Sequence, residues 1–222
     1  MTQARKRLII LVADGNMKAA LKGLLTHPRA LGIQITADDV DIFVHPLRDP
    51  GVYRSAHEFL RPYPRDYEHA LVIFDREGCG VDEGKPRRRK RTPARKLQAE
   101  VQKKLVKNGW EEERCQVVVI DPELEMWVWN GSPAVAQLLQ INPEEWRAML
   151  SQGKPEAPKE ELEKLLEARR IPRSSSLYED LAKDLAMKEP WRLLTCNDSA
   201  FRCLRETLQK WFGEKEPSET GG

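Results

Sequence analysis

The 222-residue chain has only four cysteines, Cys79, Cys115, Cys196 and Cys203, and no two of them form a C-x-x-C pair. That spacing argues against a zinc knuckle, and so few cysteines in a chain of this size do not make a secreted disulfide scaffold. Cys79 has no flanking histidine to activate it as a nucleophile. No apolar run approaches the roughly 20 residues that a membrane span needs. The N-terminus, M-T-Q-A-R-K-R-L-I-I-L-V-A-D, runs from basic to apolar as a leader does. It reaches Asp14 without a small-residue cleavage site, so it reads as a first strand. No internal repeat is evident. These absences leave a globular chain, expected in the reducing cytoplasm and away from membranes. With 40% hydrophobic and 32% charged residues, it has enough apolar material for one sizeable core.

What is present is organised around residues 70–80, A-L-V-I-F-D-R-E-G-C-G. Ala70 to Phe74 is an unbroken β-branched and aromatic run, as in a strand buried on both faces. It stops at Asp75-Arg76-Glu77-Gly78, so two acids stand just past the strand's C-terminal end. Ligands of open α/β sheets collect at that edge. Paired carboxylates there hold a hard cation or move protons, unless the turn is simply solvated.

The same pattern recurs. Leu8–Ala13 reads as a strand ending at Asp14, followed by Met17, Ala20, Leu21, Leu24 and Leu25 at helical spacing. Cys115–Ile120 is a third apolar strand, ending in Asp121-Pro122-Glu123-Leu124-Glu125. Further strand pieces are expected at Ile33–Thr36 and Val40–Val44. A loop is expected over His45–Gly51, and a short helix from Ser55 to Leu60. Leu97, Val101 and Leu105 mark an amphipathic helix closed by Asn108-Gly109. Met126–Trp129 reads as a short helix whose tryptophans belong to the core. Beyond Ser132 only helices are expected, around 133–139, 143–150, 160–169, 177–185 and 199–212, the last capped by Asp198.

The division is therefore an α/β domain over residues 1–130, a helical part over 131–212 and a frayed tail over 213–222. If the strands are parallel, right-handed crossovers bring their acid-bearing ends to one edge. Asp14, Asp75, Glu77 and Glu125 are then the candidate metal ligands. Two divalent ions about 3.5–4 Å apart are a standard device for attacking a phosphodiester. Residues 85–96, K-P-R-R-R-K-R-T-P-A-R-K, form a basic loop directly after this turn. Arg87, Arg88, Arg89, Lys90 and Arg91 are its candidate phosphate-backbone contacts. His57, near His45, Asp49 and Arg54, is a candidate proton donor.

Strand–acid–Gly–helix, followed by a strand ending in Asp-x-Glu, resembles the Toprim arrangement of topoisomerases, primases and related nucleases. The segments F-D-R-E-G-C-G, L-E-M-W-V-W and Pro158-Lys159, in that order, are similar to Toprim-like proteins of prokaryotic defence systems, including methylation-associated ones. The resemblance implies an α/β, mainly parallel sheet with a helical C-terminal part. It further implies Mg²⁺ or Mn²⁺ on Asp75, Glu77 and Glu125, action on nucleic acid, and defence-system partners. Glu77 replaces the family's second aspartate. The family's first glutamate falls on Ala13 or on Asp14, and with Ala13 a ligand is lost. Two functions therefore stand side by side: a metal-dependent nuclease or phosphoryl-transfer subunit, and a catalytically degenerate adaptor for nucleic acid or partner proteins.

Overall fold

The computed structural model describes residues 5–84 and 91–214. The first half alternates strand and helix: β1 (Lys6–Val12), α1 (Gly15–Leu25), β2 (Val40–Val44), α2 (Arg48–Leu60), β3 (Tyr67–Asp75), α3 (Ala94–Lys107) and β4 (Cys115–Ile120). The strands form one all-parallel sheet in the order β2-β1-β3-β4. Leu8 to Val12, Ala70 to Phe74 and Val117 to Ile120 are almost wholly sealed from solvent. Strands covered on both faces read this way, as continuous apolar runs with no alternation.

The order has a functional consequence. From β1 the chain moves one way to β2, then crosses back over β1 to β3 and on to β4. With right-handed crossovers, α1 lies on one face and α2 and α3 on the other. The two directions part between the C-terminal ends of β1 and β3. That crevice is where open α/β sheets bind ligands. Register sets its rim: Val12 pairs with both Val44 and Ile73, and Asp75 pairs with Ile120.

The helical part comprises α4 (Pro133–Leu138), α5 (Pro143–Ser151), α6 (Pro158–Ala168), α7 (Ser175–Lys188), α8 (Pro190–Thr195) and α9 (Ser199–Phe212). Proline opens α4, α5, α6 and α8 because the first turn does not use its missing N–H. Asp198 caps α9 as expected, accepting from the N–H groups of Ala200 and Phe201. Leu185, Leu193, Phe201, Leu204 and Leu208 share one core with the strands. A second cluster joins Trp129, Trp146, Leu162, Leu166 and Leu181. Helix α7 packs along α1, and Gly23 makes the approach close: a Cβ there would strike the Glu179 carbonyl and the Ala182 side chain.

Three local expectations change. Residues 33–36 are not a strand. Ile33 and Ile35 are buried and Gln34 and Thr36 exposed, but the segment pairs with no strand, and the Gln34 N–H bonds instead to the Phe212 carbonyl at the end of α9 at 2.7 Å. Helix α2 begins at Arg48 rather than Ser55, since Pro50 falls in its first turn, where proline is tolerated. Ser55 is instead a kink (φ −134°, ψ 15°). Met126–Trp129 is not an α-helix; a single 3₁₀ turn spans Leu124–Trp127. Residues 215–222 of the tail lie outside the described residues. No helix among the described residues is long and apolar enough to cross a membrane.

Candidate functional site

All four strands deliver an acid to the rim of the crevice. Asp14 follows β1 and caps α1, accepting the Met17 N–H at 2.9 Å. Asp49 follows β2 in the first turn of α2 and accepts the backbone N–H of Asp75 at 2.7 Å. Asp75 ends β3. Glu125 follows β4 in the 3₁₀ turn and is only 4% exposed; its Oε1 accepts the Tyr178 hydroxyl from α7 at 2.6 Å. Glu123 stands beside it, accepting the Lys159 N–H at the start of α6 at 2.9 Å.

The electrostatics are lopsided. Asp75 is held well above the usual carboxylate range, first by loss of water and then by the charges of Asp49, Glu125 and Asp14. The backbone N–H of Leu124 pulls the other way. Asp75 as a residue is partly accessible, yet its Oδ1 is sealed from solvent and has no hydrogen-bond partner. Burial likewise raises Asp49, with Asp14 adding to the effect, and the Lys159 charge offsets it only in part. Glu123 is raised by burial and by Glu125. Burial and Glu125 push the Tyr178 phenol far above its ordinary range, so it stays a proton donor to that carboxylate. Like charges held this close in a dehydrated place cost free energy unless a cation offsets them.

The expected set thus comes together in part. Asp14, Asp75 and Glu125 lie within electrostatic reach of one another. Glu77 does not join them. The chain leaves β3 at Asp75 into a turn that bonds to the loop after β4, Arg76 N–H to the Ile120 carbonyl and Glu77 N–H to the Pro122 carbonyl. Its carboxylate pairs instead with Arg91 and lies 3.8 Å from Arg76, which is itself bound to Asp121 at 2.6 Å. His57 sits eight residues beyond Asp49 on α2, roughly 12 Å along the helix. Its charged neighbours are Glu58 and Lys104, and burial lowers its pKa. His45 is buried too, between the Leu47 N–H and the Ser55 hydroxyl. Ala13 is fully buried, so on the rim the polar group after β1 is Asp14.

Asp49 and Tyr178 are members to which the strand ends do not point, while Glu123 is one of the acids expected after β4. Asp49 had a usable signal, an acid directly before a proline that opens a helix. Tyr178 had none, because it arrives from 53 residues beyond Glu125. Gly78 is required by the assembly: a Cβ there would lie 2.6 Å from Asp49 Oδ2.

The donors are all oxygen and mostly carboxylate, the chemistry of a hard divalent cation. Among the described residues, however, no group of three His, Cys, Asp or Glu side chains forms a ready-made metal cage. Asp14, Asp49 and Glu125 each have one oxygen turned to a protein donor, and only Asp75 presents a buried oxygen without one. Of the basic tract, Arg87, Arg88, Arg89 and Lys90 lie outside the described residues. Its described end is anchored beside the site: Arg91 on Glu77, and Thr92 on the Asp82 carboxylate at 2.8 and 2.9 Å. Cys79 is sealed, with its thiol donating to the Arg76 carbonyl at 3.0 Å and its pKa raised by burial, which disfavours a thiolate nucleophile. Trp127 and Trp129 are core-packed as expected, against Phe201 and Trp146. No family model, no curated protein and no solved structure matches this chain.

Proposed function

We propose that the chain is a metal-dependent phosphoryl-transfer enzyme, with nucleic acid as substrate and phosphodiester hydrolysis as the reaction. The observation that carries this reading is the uncompensated acid cluster at the switch point, centred on the unpartnered Oδ1 of Asp75. A divalent cation bound here would relieve that repulsion. Asp75, Glu125 and Asp14 would hold Mg²⁺ or Mn²⁺, with Asp49 close by. The metal would supply charge neutralisation on the phosphate and an activated water. The chain's own groups do the rest. Tyr178 fixes the Glu125 carboxylate, Asp49 braces the backbone of Asp75, and the Lys159 charge bears on Asp49 and Glu123. Residues 85–96 would neutralise the phosphate backbone, so binding should weaken steeply with salt. A role in prokaryotic defence is the further part of the proposal, supported by the resemblance of F-D-R-E-G-C-G and L-E-M-W-V-W alone.

The test is cleavage of DNA and of RNA with Mg²⁺ or Mn²⁺ by the wild type, Asp75→Asn and Glu125→Gln. Metal-dependent cleavage lost by more than about 100-fold in both variants supports the proposal. Cleavage that survives in Asp75→Asn condemns it. The second reading, a noncatalytic adaptor, draws on the absence of a ready-made cage and on the diversion of Glu77 to Arg91. It predicts nucleic-acid or protein binding that is indifferent to metal and no cleavage of either substrate.

A further inference from the structure

A second concavity lies on the far side of the 3₁₀ turn that carries Glu125. It is about 470 Å³, within the range of small-molecule sites, and runs between residues 126–130 and α8. Its most unusual member is Trp191, which is 56% exposed on a helix whose neighbour Leu193 is buried. A tryptophan left this open forfeits the burial that such a side chain normally brings. One face of its ring is covered by the Arg192 guanidinium, 4.6 Å from the centroid. Arg192 is itself fixed by Glu189 and the Asn130 carbonyl. The opposite wall is rigid as well: Trp127 packs edge-on against Phe201 and donates its indole N–H to Asp198, which also caps α9. Against these engaged groups, two polar side chains of the lining make no hydrogen bond or ion pair among the described residues, the Asn197 amide and the Lys154 ammonium.

We infer that this cleft binds a nucleobase together with its phosphate. The open ring of Trp191 provides a stacking face that accepts any base. Asn197 offers one donor edge and one acceptor edge, the pattern that reads a base edge. Lys154 supplies a point charge for the phosphate. The ligand comes from one of two sources, a free nucleotide or an unpaired base of a single strand. The inference does not rest on the metal reading, since no carboxylate of that site lines the cleft.

Equilibrium dialysis of the full chain with radiolabelled AMP, GMP, CMP and UMP tests it, with ribose 5-phosphate as a baseless competitor. Binding should weaken about tenfold or more in Trp191→Leu, the loss expected for one base–aromatic stack. It should persist within about threefold in Trp191→Tyr, which keeps a stacking ring. Lys154→Ala should weaken binding and flatten its salt dependence. A melting curve of Trp191→Leu matching that of the wild type separates lost stacking from lost folding. Binding in EDTA should equal binding in Mn²⁺, because no carboxylate of the metal site lines the cleft, so failure here and failure of the metal site are distinguishable. A short oligonucleotide that binds more tightly than any mononucleotide, in a Trp191-dependent way, identifies a strand as the source. Equal competition by ribose 5-phosphate, unchanged binding in Trp191→Leu, or no binding at millimolar nucleotide each overturns the inference.

Discussion

Asp75→Asn should make the metal-free protein more stable, which is unusual for a substitution in the interior. In the wild type, Oδ1 of Asp75 is dehydrated and unpartnered, and three other carboxylates act on the same group. A buried acceptor without a partner forfeits about 1–3 kcal/mol. Asparagine removes the charge, keeps an oxygen for the Leu124 N–H, and gains an amide that can donate to a neighbouring carboxylate. A gain of about 1–3 kcal/mol corresponds to roughly 2–12 °C in melting temperature for a chain of this size. The pH dependence has a definite sign. The folded pKa of Asp75 lies above its unfolded value near 3.8. Its protonated form is therefore compatible with the fold below that value, and stability is lost as pH rises through the folded pKa. The advantage of the variant should accordingly grow as pH rises above 4 and shrink toward pH 4. Divalent metal should reverse the comparison. At 100-fold excess over Kd a bound ion adds about 2.7 kcal/mol to the wild type, and the variant should gain far less. Thermal melts in EDTA and in Mn²⁺, at several pH values, read all of this. A variant that melts below the wild type in EDTA would show that Asp75 makes a native interaction the reasoning omits. Equal stabilisation of both proteins by Mn²⁺ would remove Asp75 from any metal site.

Tyr178→Phe takes a charge-assisted hydrogen bond from a carboxylate that is 4% exposed, and should cost about 1.5–3 kcal/mol in denaturant unfolding. Its Mn²⁺ affinity should fall too, since Glu125 is no longer oriented. Gly78→Ala puts a Cβ 2.6 Å from Asp49 Oδ2 and 3.0 Å from Asp49 Cβ, so the first turn of α2 must shift. Overpacking of this kind costs about 1–3 kcal/mol, and Asp49→Ala in the same chain should recover part of it. His69 is half-buried against Trp211, with ring centroids 4.4 Å apart, and its pKa is pushed down to about 4 by burial and nearby arginines. It folds neutral, so its contribution is present above pH 6.5 and lost as pH falls toward 4. His69→Phe should remove about 1–2 kcal/mol of that acid loss, the shift being discounted for partial exposure.

Much of the site was legible because strand burial and acid placement are both local signals. Asp14, Asp75 and Glu125 each follow a strand recognisable from its apolar run, and parallel pairing does the gathering. Glu77 is expected in the cluster because it stands two residues after Asp75, just past the strand's end, and matches the second position of the Asp-x-Asp resemblance. The chain stops being extended at Asp75, where Arg76 and Glu77 turn to the carbonyls of Ile120 and Pro122, and the two acids diverge. Ile33 and Ile35 misled in the opposite sense. Their period of two was real and both enter the main core, but the backbone between them bonds to the end of α9, far away in sequence, and not to a strand. Asp49 was hidden by prolines that read as loop yet fit the first turn of a helix. The tertiary partners, Tyr178 above all, leave no mark in the residues around them.

The helical C-terminal part is more than a cover for the sheet. Two of the acids that follow β4 are held by it: Glu125 by Tyr178 of α7 and Glu123 by the first turn of α6. At the other rim the Ser175 hydroxyl, at the start of α7, donates to Asn16 beside the Asp14 cap at 2.8 Å. Helix α7 thus touches both sides of the crevice while its buried leucines belong to both apolar clusters. A sheet edge alone could present the acids, but their carboxylates would rotate freely in water and repel one another outward. Burying them under α6 and α7 keeps them converged at the cost of dehydration. The share of the repulsion on Asp75 that comes from Glu125 is therefore held in place by the helical layer. Loosening that layer, for example with Leu181→Ala at a loss of about 2–5 kcal/mol, should bring the Asp75 pKa back toward 3.8 before the sheet itself unfolds.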